Sequence, residues 1–294
     1  MLENLATEKR NSKTLRLDEL TTAEILAIMN EEDKTVPQAI KQVLPTIEKI
    51  VNGVISTFQA GGRLIYLGAG TSGRLGVLDA VECVPTFGVE PSQVVGLIAG
   101  GEKAFVQAVE GAEDSMILGE TDLKELALTE NDYVIGIAAS GRTPYVIGAL
   151  DYAKRIGART AAVSCNADAA ISKHAELAVE VVTGPEVLTG STRLKAGTAQ
   201  KLVLNMISTA SMIGVGKIYK NLMVDVKPTN EKLVERAKRI IMEATDCDYE
   251  TAAKFYQLAD THVKVAIVML LTNSTKLEAI KKLEQANGFV RKTL

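Results

Sequence analysis

Three polar junctions in this sequence combine small, hydroxyl-bearing and charged residues, and in the first two the order is suited to holding an anion. The first, Gly68-Ala69-Gly70-Thr71-Ser72-Gly73-Arg74, follows a short apolar run and leads into a helical pattern. Small residues let backbone N–H groups approach a ligand closely, and the following helix presents the positive end of its dipole. The hydroxyls of Thr71 and Ser72 can either cap that helix or bind an anion. The second, Ala138-Ala139-Ser140-Gly141-Arg142-Thr143-Pro144, repeats the arrangement. Ser140 and Thr143 are spaced so that both hydroxyls reach one phosphate at a helix start, and Pro144 suits a first turn, where its missing N–H costs nothing. The third begins at Thr189 and carries Ser191, Thr192 and Lys195 into a long, small-residue helix. Capping alone explains any one loop of this kind, whereas two at neighbouring strand ends favour a phosphate site.

Nucleotide motifs do not fit these loops. There is no G-x-x-x-x-G-K-[ST], and Gly68-x-Gly70-x-x-Gly73 lacks an acidic ribose partner at the end of the next strand, where Ile98-Ala99-Gly100-Gly101 stands. Two carboxylates are candidates for proton transfer. Glu82 sits near the end of the helix leaving the first loop, just before Cys83-Val84-Pro85, and Glu113 lies where one helix breaks and another begins. Their bland readings are a solvated helix face for Glu82 and a first-turn acid facing the helix dipole for Glu113. Brought together at one sheet edge, they could divide acid and base roles. Lys195 is placed either near the site or solvated on its helix. His174 and His262, the only histidines, read as structural or surface residues.

Composition narrows the function further. With 33 Lys and Arg against 36 Asp and Glu, the net charge of −3 disfavours a phosphate backbone as partner. The absence of Trp and an aromatic content of 4% weaken any case for stacking on polysaccharide or single strands. Cys83, Cys165 and Cys247 form no CxxC pair, so neither a disulfide framework nor a structural zinc is expected. The charged N-terminus lacks the apolar core of a signal peptide, and Val263–Leu271 is too short to span a bilayer, which places the expected location in the cytoplasm.

The elements that must position these residues are legible from periodicity. Apolar residues from Val36 to Phe58 fall on one helix face, with a kink expected at Pro45 and an end at Gly61-Gly62. Short apolar runs at Leu64–Leu67, Val94–Ile98, Val134–Ala138, Ala161–Ser164 and Leu177–Val182 alternate with helical patterns. Such runs suit strands buried on both faces, so the expected class is α/β, a doubly wound, mainly parallel sheet with a small C-terminal helical subdomain. The expected division is an N-terminal arm and helices over 1–60, with residues 1–20 a loose arm, a ligand-binding domain over 61–228 and helices over 229–294. Chemistry in such sheets lies beyond the carboxyl ends of the strands.

Gly68–Arg74, Ser140–Thr143 and Glu186-x-x-x-x-Ser191-Thr192 resemble the sugar isomerase (SIS) fold, a sugar-phosphate-binding domain. Asp33-Lys34-Thr35-Val36-Pro37, GAGTSGRLGVLDA from Gly68, VVGLIAGGE from Val94, VEGAEDS from Val109, GIAASGRTPYV from Gly136 and AGTAQKLVLNM from Ala196 narrow the resemblance to the N-acetylmuramic acid 6-phosphate etherase family. That resemblance runs from about residue 20 to the C-terminus. It implies cleavage of a D-lactyl ether on a sugar phosphate without a metal, nicotinamide or other cofactor, in a homodimer. It also implies Glu82 as proton donor and Glu113 as base, with Thr71, Ser72, Ser140, Thr143, Ser191 and Thr192 contacting the sugar phosphate. The family's segment around the first acid usually reads Asp-Ala-Ser-Glu-Cys-Pro-Pro-Thr. Here Val81 and Val84 replace the Ser and the first Pro, which implies a looser turn and an altered rate or pH optimum rather than a different reaction. The rival readings are an aldose–ketose sugar-phosphate isomerase and a non-catalytic sugar-phosphate sensor or regulator acting through protein contacts.

Overall fold

The computed structural model describes residues 5–107, 109–227 and 230–294. They divide into two compact units, one of residues 1–80 and 92–208 and one of residues 81–91 and 209–294. The expected boundary between Pro228 and Thr229 lies outside the described residues.

The first unit opens with three short 3-10 turns, Ala6–Glu8, Ser12–Thr14 and Leu17–Glu19. This stretch is not the loose arm that its polarity suggested. Thr7 is buried, its N–H donates to Asn166 Oδ1 at 3.3 Å, and Asn166 Nδ2 donates to Thr7 Oγ1 at 3.0 Å. Three helices follow, α1 (Thr22–Asp33), α2 (Thr35–Lys41) and α3 (Leu44–Gln59). A capping box formed by Thr21 and Glu24 starts α1. Pro45 does not kink a continuous helix; it occupies the first turn of α3, where no backbone donor is needed.

The sheet then forms from β1 (Leu64–Gly68), α4 (Gly70–Phe87), β2 (Val94–Ile98), α5 (Lys103–Val106), α6 (Met116–Glu125), β3 (Tyr133–Ile137), α7 (Pro144–Ile156), β4 (Arg159–Ser164), β5 (Leu177–Glu180) and α8 (Lys195–Gly214). All strands are parallel, in the order β2-β1-β3-β4-β5. Every residue of β1 and β3 is buried, as expected of central strands covered on both faces. Side chains alternate across the sheet. A Cβ at Gly53 of α3 would meet the Tyr133 ring, and one at Gly76 of α4 would meet Tyr66. Tyr66 pairs with Ile135 and so shares the face of Tyr133. Gly136 is of opposite parity, and its neighbours are Val146 and Leu150 of α7. Helices α3 and α4 therefore cover one face and α7 the other, the doubly wound arrangement expected.

The second unit contains the last turns of α4 and α8, a short antiparallel pair, β6 (Ile218–Tyr219) with β7 (Leu222–Met223), and helices α9 (Glu231–Thr245), α10 (Tyr249–Leu258), α11 (Val263–Thr272) and α12 (Lys276–Gln285). Ile241, Tyr256, Ala266, Ile267 and Val268 are at the centre of its core. Lys264 of α11 reaches back to the Gly216 carbonyl and to Asp225, a bond that links the helices to the segment around the hairpin. None of the described helices is long and apolar enough to cross a membrane.

Candidate active site

The strand order reverses between β1 and β3, and these two neighbours end level, with Gly68 paired to Ile137. The loops Gly68–Arg74 and Ala138–Pro144 therefore leave the sheet side by side at its topological switch point, where ligands of open α/β sheets bind. The first loop turns tightly into α4. A Cβ on Gly73 would stand 2.5 Å from the Gly68 carbonyl oxygen and 2.7 Å from Ile98, so only glycine lets the helix start this close to β1. Gly73 N–H closes the first intrahelical bond onto the Ala69 carbonyl. The N–H groups of Gly70, Thr71 and Ser72 thus lie in the first turn, where a helix offers them no carbonyl, and that turn holds no acidic residue.

The second loop is closed differently. Gly141 adopts φ +71°, and a Cβ there would meet Ala169 at 2.5 Å. Ser140 Oγ accepts from Arg142 N–H at 3.4 Å. Pro144 begins α7 as expected, with Thr143 at the N-cap. The Thr143 hydroxyl does not cap the helix; it donates to Glu113 Oε1 at 3.1 Å, while Tyr145 N–H donates to the Glu113 carbonyl at 3.0 Å. Glu113 is not in the first turn of a helix either. It precedes α6, which is capped by Ser115, and its exposed carboxylate is seated on the start of α7. The structure thereby brings Glu113 and Thr143 together across a separation of 30 residues.

Ser72 is almost fully buried and donates its hydroxyl proton to Gln200 Oε1 at 3.0 Å. Thr71 lies against the first turn of α8, since a Cβ at Gly197 would be 3.5 Å from Thr71 Cγ2 and 3.4 Å from the Thr192 carbonyl oxygen. Ser191 and Thr192 form the turn that leads into α8, where the Thr192 carbonyl accepts from Gly197 N–H at 2.9 Å. Glu82 belongs to the second unit and is exposed on α4 beside buried Cys83. The segment around it is not a turn. The helix continues to Phe87 with Pro85 inside it, so Val84 is a helical residue and the Val81 carbonyl loses the donor that Pro85 lacks.

Lys195 is neither solvated nor free. It is 3% exposed, and its ammonium donates to Glu32 Oε2 at 2.6 Å, while Lys13 approaches Glu32 Oε1 at 2.8 Å. Burial alone would raise the Glu32 carboxyl, but the bonds from Lys13 and Lys195 outweigh it and pull the group down to about 2. Glu186, fully buried, accepts from the N–H groups of Lys195 and Ala196 at 2.9 and 3.0 Å, and burial pushes its pKa above the ordinary value.

One positioning residue escaped the sequence reading. Asn166 follows β4, is 1% exposed, and donates to the carbonyls of Ala139 and Ser140, pinning the second loop. A polar residue two positions past an apolar strand is its local signal. Arg74, in contrast, turns away from the loop to the carbonyls of Ala104 and Phe105. The two Ser-Gly-Arg segments look alike in sequence and differ in this respect.

Comparison with known proteins agrees with this geometry. Residues 117–210 match the SIS domain model, and residues 46–154 match the model of the glucokinase regulatory protein N-terminal SIS domain. A phosphoheptose isomerase from Francisella tularensis superposes with a TM-score of 0.50 at 16% identity, over 66% of this chain and 100% of that one, which supports the fold alone. The class is therefore that of SIS-domain proteins. Two full-length relatives are similar to the chain at much higher identity. The N-acetylmuramic acid 6-phosphate etherase of Listeria monocytogenes serotype 4b is 77% identical over 100% of this chain and 99% of its own length, and that of an Exiguobacterium species is 67% identical over both entire chains. The chain belongs to the N-acetylmuramic acid 6-phosphate etherase family.

Proposed function

We propose that the protein is a carbon–oxygen lyase that cleaves the D-lactyl ether of N-acetylmuramic acid 6-phosphate, giving N-acetylglucosamine 6-phosphate and D-lactate, in the recycling of cell-wall amino sugars. The observation that carries the chemistry is the carboxylate of Glu113 seated on Thr143 at the carboxyl edge of β3, beside the open first turn of α4. Full-length identity with etherases supports the choice of substrate.

An alkyl ether resists direct displacement, but opening the sugar ring exposes an aldehyde that acidifies the proton on C2. Glu113, oriented through Oε1 by Thr143, takes that proton. Glu82 protonates the lactyl oxygen as the C3–O bond breaks, leaving a C2–C3 double bond conjugated to the aldehyde. Water then adds its oxygen to C3 and a proton returns to C2, so the net change is hydrolysis. The phosphate, remote from the reacting carbons, binds the first-turn N–H groups of α4 with Thr71, Ser72 and Ser140, and holds C2 and C3 in place. Ser191 and Thr192 complete the sugar contacts. Residues 61–228 form the sugar-phosphate-binding part, with helices on either side in the chain. The protein works in the cytoplasm as a homodimer, on a small molecule rather than a nucleic acid, in keeping with its net charge of −3.

The test is incubation of metal-stripped protein with N-acetylmuramic acid 6-phosphate, measuring both products. Equimolar D-lactate and N-acetylglucosamine 6-phosphate are expected; a bound but unchanged substrate would favour the sensor reading. Glu113→Gln and Glu82→Ala should each lower turnover by about 10²–10⁴-fold, the range for removal of a general acid or base, with substrate binding retained.

A further inference from the structure

Ser72 and Gln200 form a closed pair inside the first unit, and the pair is chemically incomplete. Ser72 has one hydroxyl proton, and it is spent on Gln200 Oε1 at 3.0 Å. In that arrangement the hydroxyl shows only lone pairs to its surroundings, the wrong polarity for a phosphate oxygen. Gln200 is 1% exposed, and its Nε2 has no hydrogen-bond partner among the described residues. A buried amide nitrogen without a partner is costly, and few survive in folded proteins without a role. Rotation of the amide by half a turn exchanges its ends. Nε2 then donates to Ser72 Oγ, the Ser72 proton is released toward the helix start, and Oε1 becomes the end without a partner. Each orientation leaves one end of the amide unsatisfied, so an anion at the start of α4 decides between them.

We propose that Gln200 is a positioning residue that sets the direction of the Ser72 hydroxyl, turning it from an acceptor into a donor when a phosphate occupies the first turn of α4. This rests on the reading of that turn as the phosphate site. Gly197, one turn earlier on α8, lies against Thr71, so the same face of α8 backs both hydroxyl residues of the loop. Gln200 itself does not touch the substrate; it acts through Ser72.

A double-mutant cycle on N-acetylmuramic acid 6-phosphate turnover tests the proposal. Ser72→Ala should raise KM about tenfold with kcat little changed. Gln200→Met, which keeps the bulk and removes both amide ends, should raise KM several-fold, and the double variant should be no worse than Ser72→Ala alone. Gln200→Glu can only accept, holds the Ser72 proton permanently and adds a negative charge, so it should raise KM more than Gln200→Met. Multiplying effects of Ser72→Ala and Gln200→Met, or an unchanged KM in Gln200→Met beside a raised one in Ser72→Ala, would overturn the role of Gln200 and leave the phosphate reading standing. An unchanged KM in Ser72→Ala would remove Ser72 from the phosphate site, and the proposal with it. Thermal melting of each variant separates these outcomes from misfolding, and if Gln200→Met does not fold, Gln200→Glu with and without Ser72→Ala carries the cycle.

Discussion

The starts of α4 and α8 are made of the same kinds of residue, Gly, Ala, Thr and Ser, yet they are in opposite states. At α8 the first N–H groups are filled by the fully buried carboxylate of Glu186, and Lys195 beside it is paired to Glu32. At α4 no acidic residue lies in the first turn, and the Ser72 hydroxyl within that turn is tied to Gln200. A helix start binds an external anion only if the protein has not already supplied one. One start is therefore a structural joint and the other a receptor, although a scan for small residues and hydroxyls finds both.

The contrast can be broken from either side. Lys195→Met should cost the most, about 3–5 kcal/mol, because it removes one partner of a buried carboxylate, while KM measured well below the melting temperature stays within about threefold. Chemical denaturation gives the first quantity and steady-state kinetics the second. Acid should attack the same joint. The Glu32 carboxyl lies at about 2 in the fold against an ordinary 4.5, so its stabilisation is complete above 4.5 and is lost as pH falls toward 2. That loss amounts to at most about 3 kcal/mol. Glu186 is raised by burial and works with the opposite sign, since its protonation on acidification relieves a cost of the fold. Denaturation midpoints between pH 6 and pH 3 should therefore fall in wild type and fall much less in Glu32→Gln.

The receptor side is tested by filling it. Thr71→Asp supplies α4 with the carboxylate that α8 already has; it should raise KM by about 100-fold, close to 3 kcal/mol, and leave the melting temperature equal or higher. An unaffected KM would place the phosphate elsewhere. The smallest change is expected from Ser140→Ala, which removes one neutral hydroxyl contact and should raise KM about five- to tenfold with kcat nearly constant. A normal KM in this variant would contradict the assignment of the second loop.

Features set by local rhythm were legible in the sequence. The five apolar runs are the five strands of the sheet, and the two Ser-Gly-Arg loops lie on neighbouring strand ends. Pro144 opens α7 as its chemistry requires. What stayed hidden depends on partners far along the chain. Nothing near Lys195 announces Glu32, 163 residues earlier, and nothing near Ser72 announces Gln200, 128 residues later. Two other prolines mislead for a local reason: Pro45 begins a helix that periodicity joins to the one before it, and Pro85 rides inside a helix that was expected to be ending near Glu82. Glu113 was found as a residue type and not as a position, because its seat on Thr143 belongs to the fold.

The bond between Thr7 and Asn166 spans 159 residues, and Asn166 in turn holds the carbonyls of Ala139 and Ser140. Contacts of such sequence separation are slow to form, because a long loop must close before they stabilise anything. On a ribosome, Thr7 lacks this partner until β4 and the residues just after it have emerged. The segment around Thr7 is therefore expected to dock late in folding, on an Asn166 that already holds the second loop.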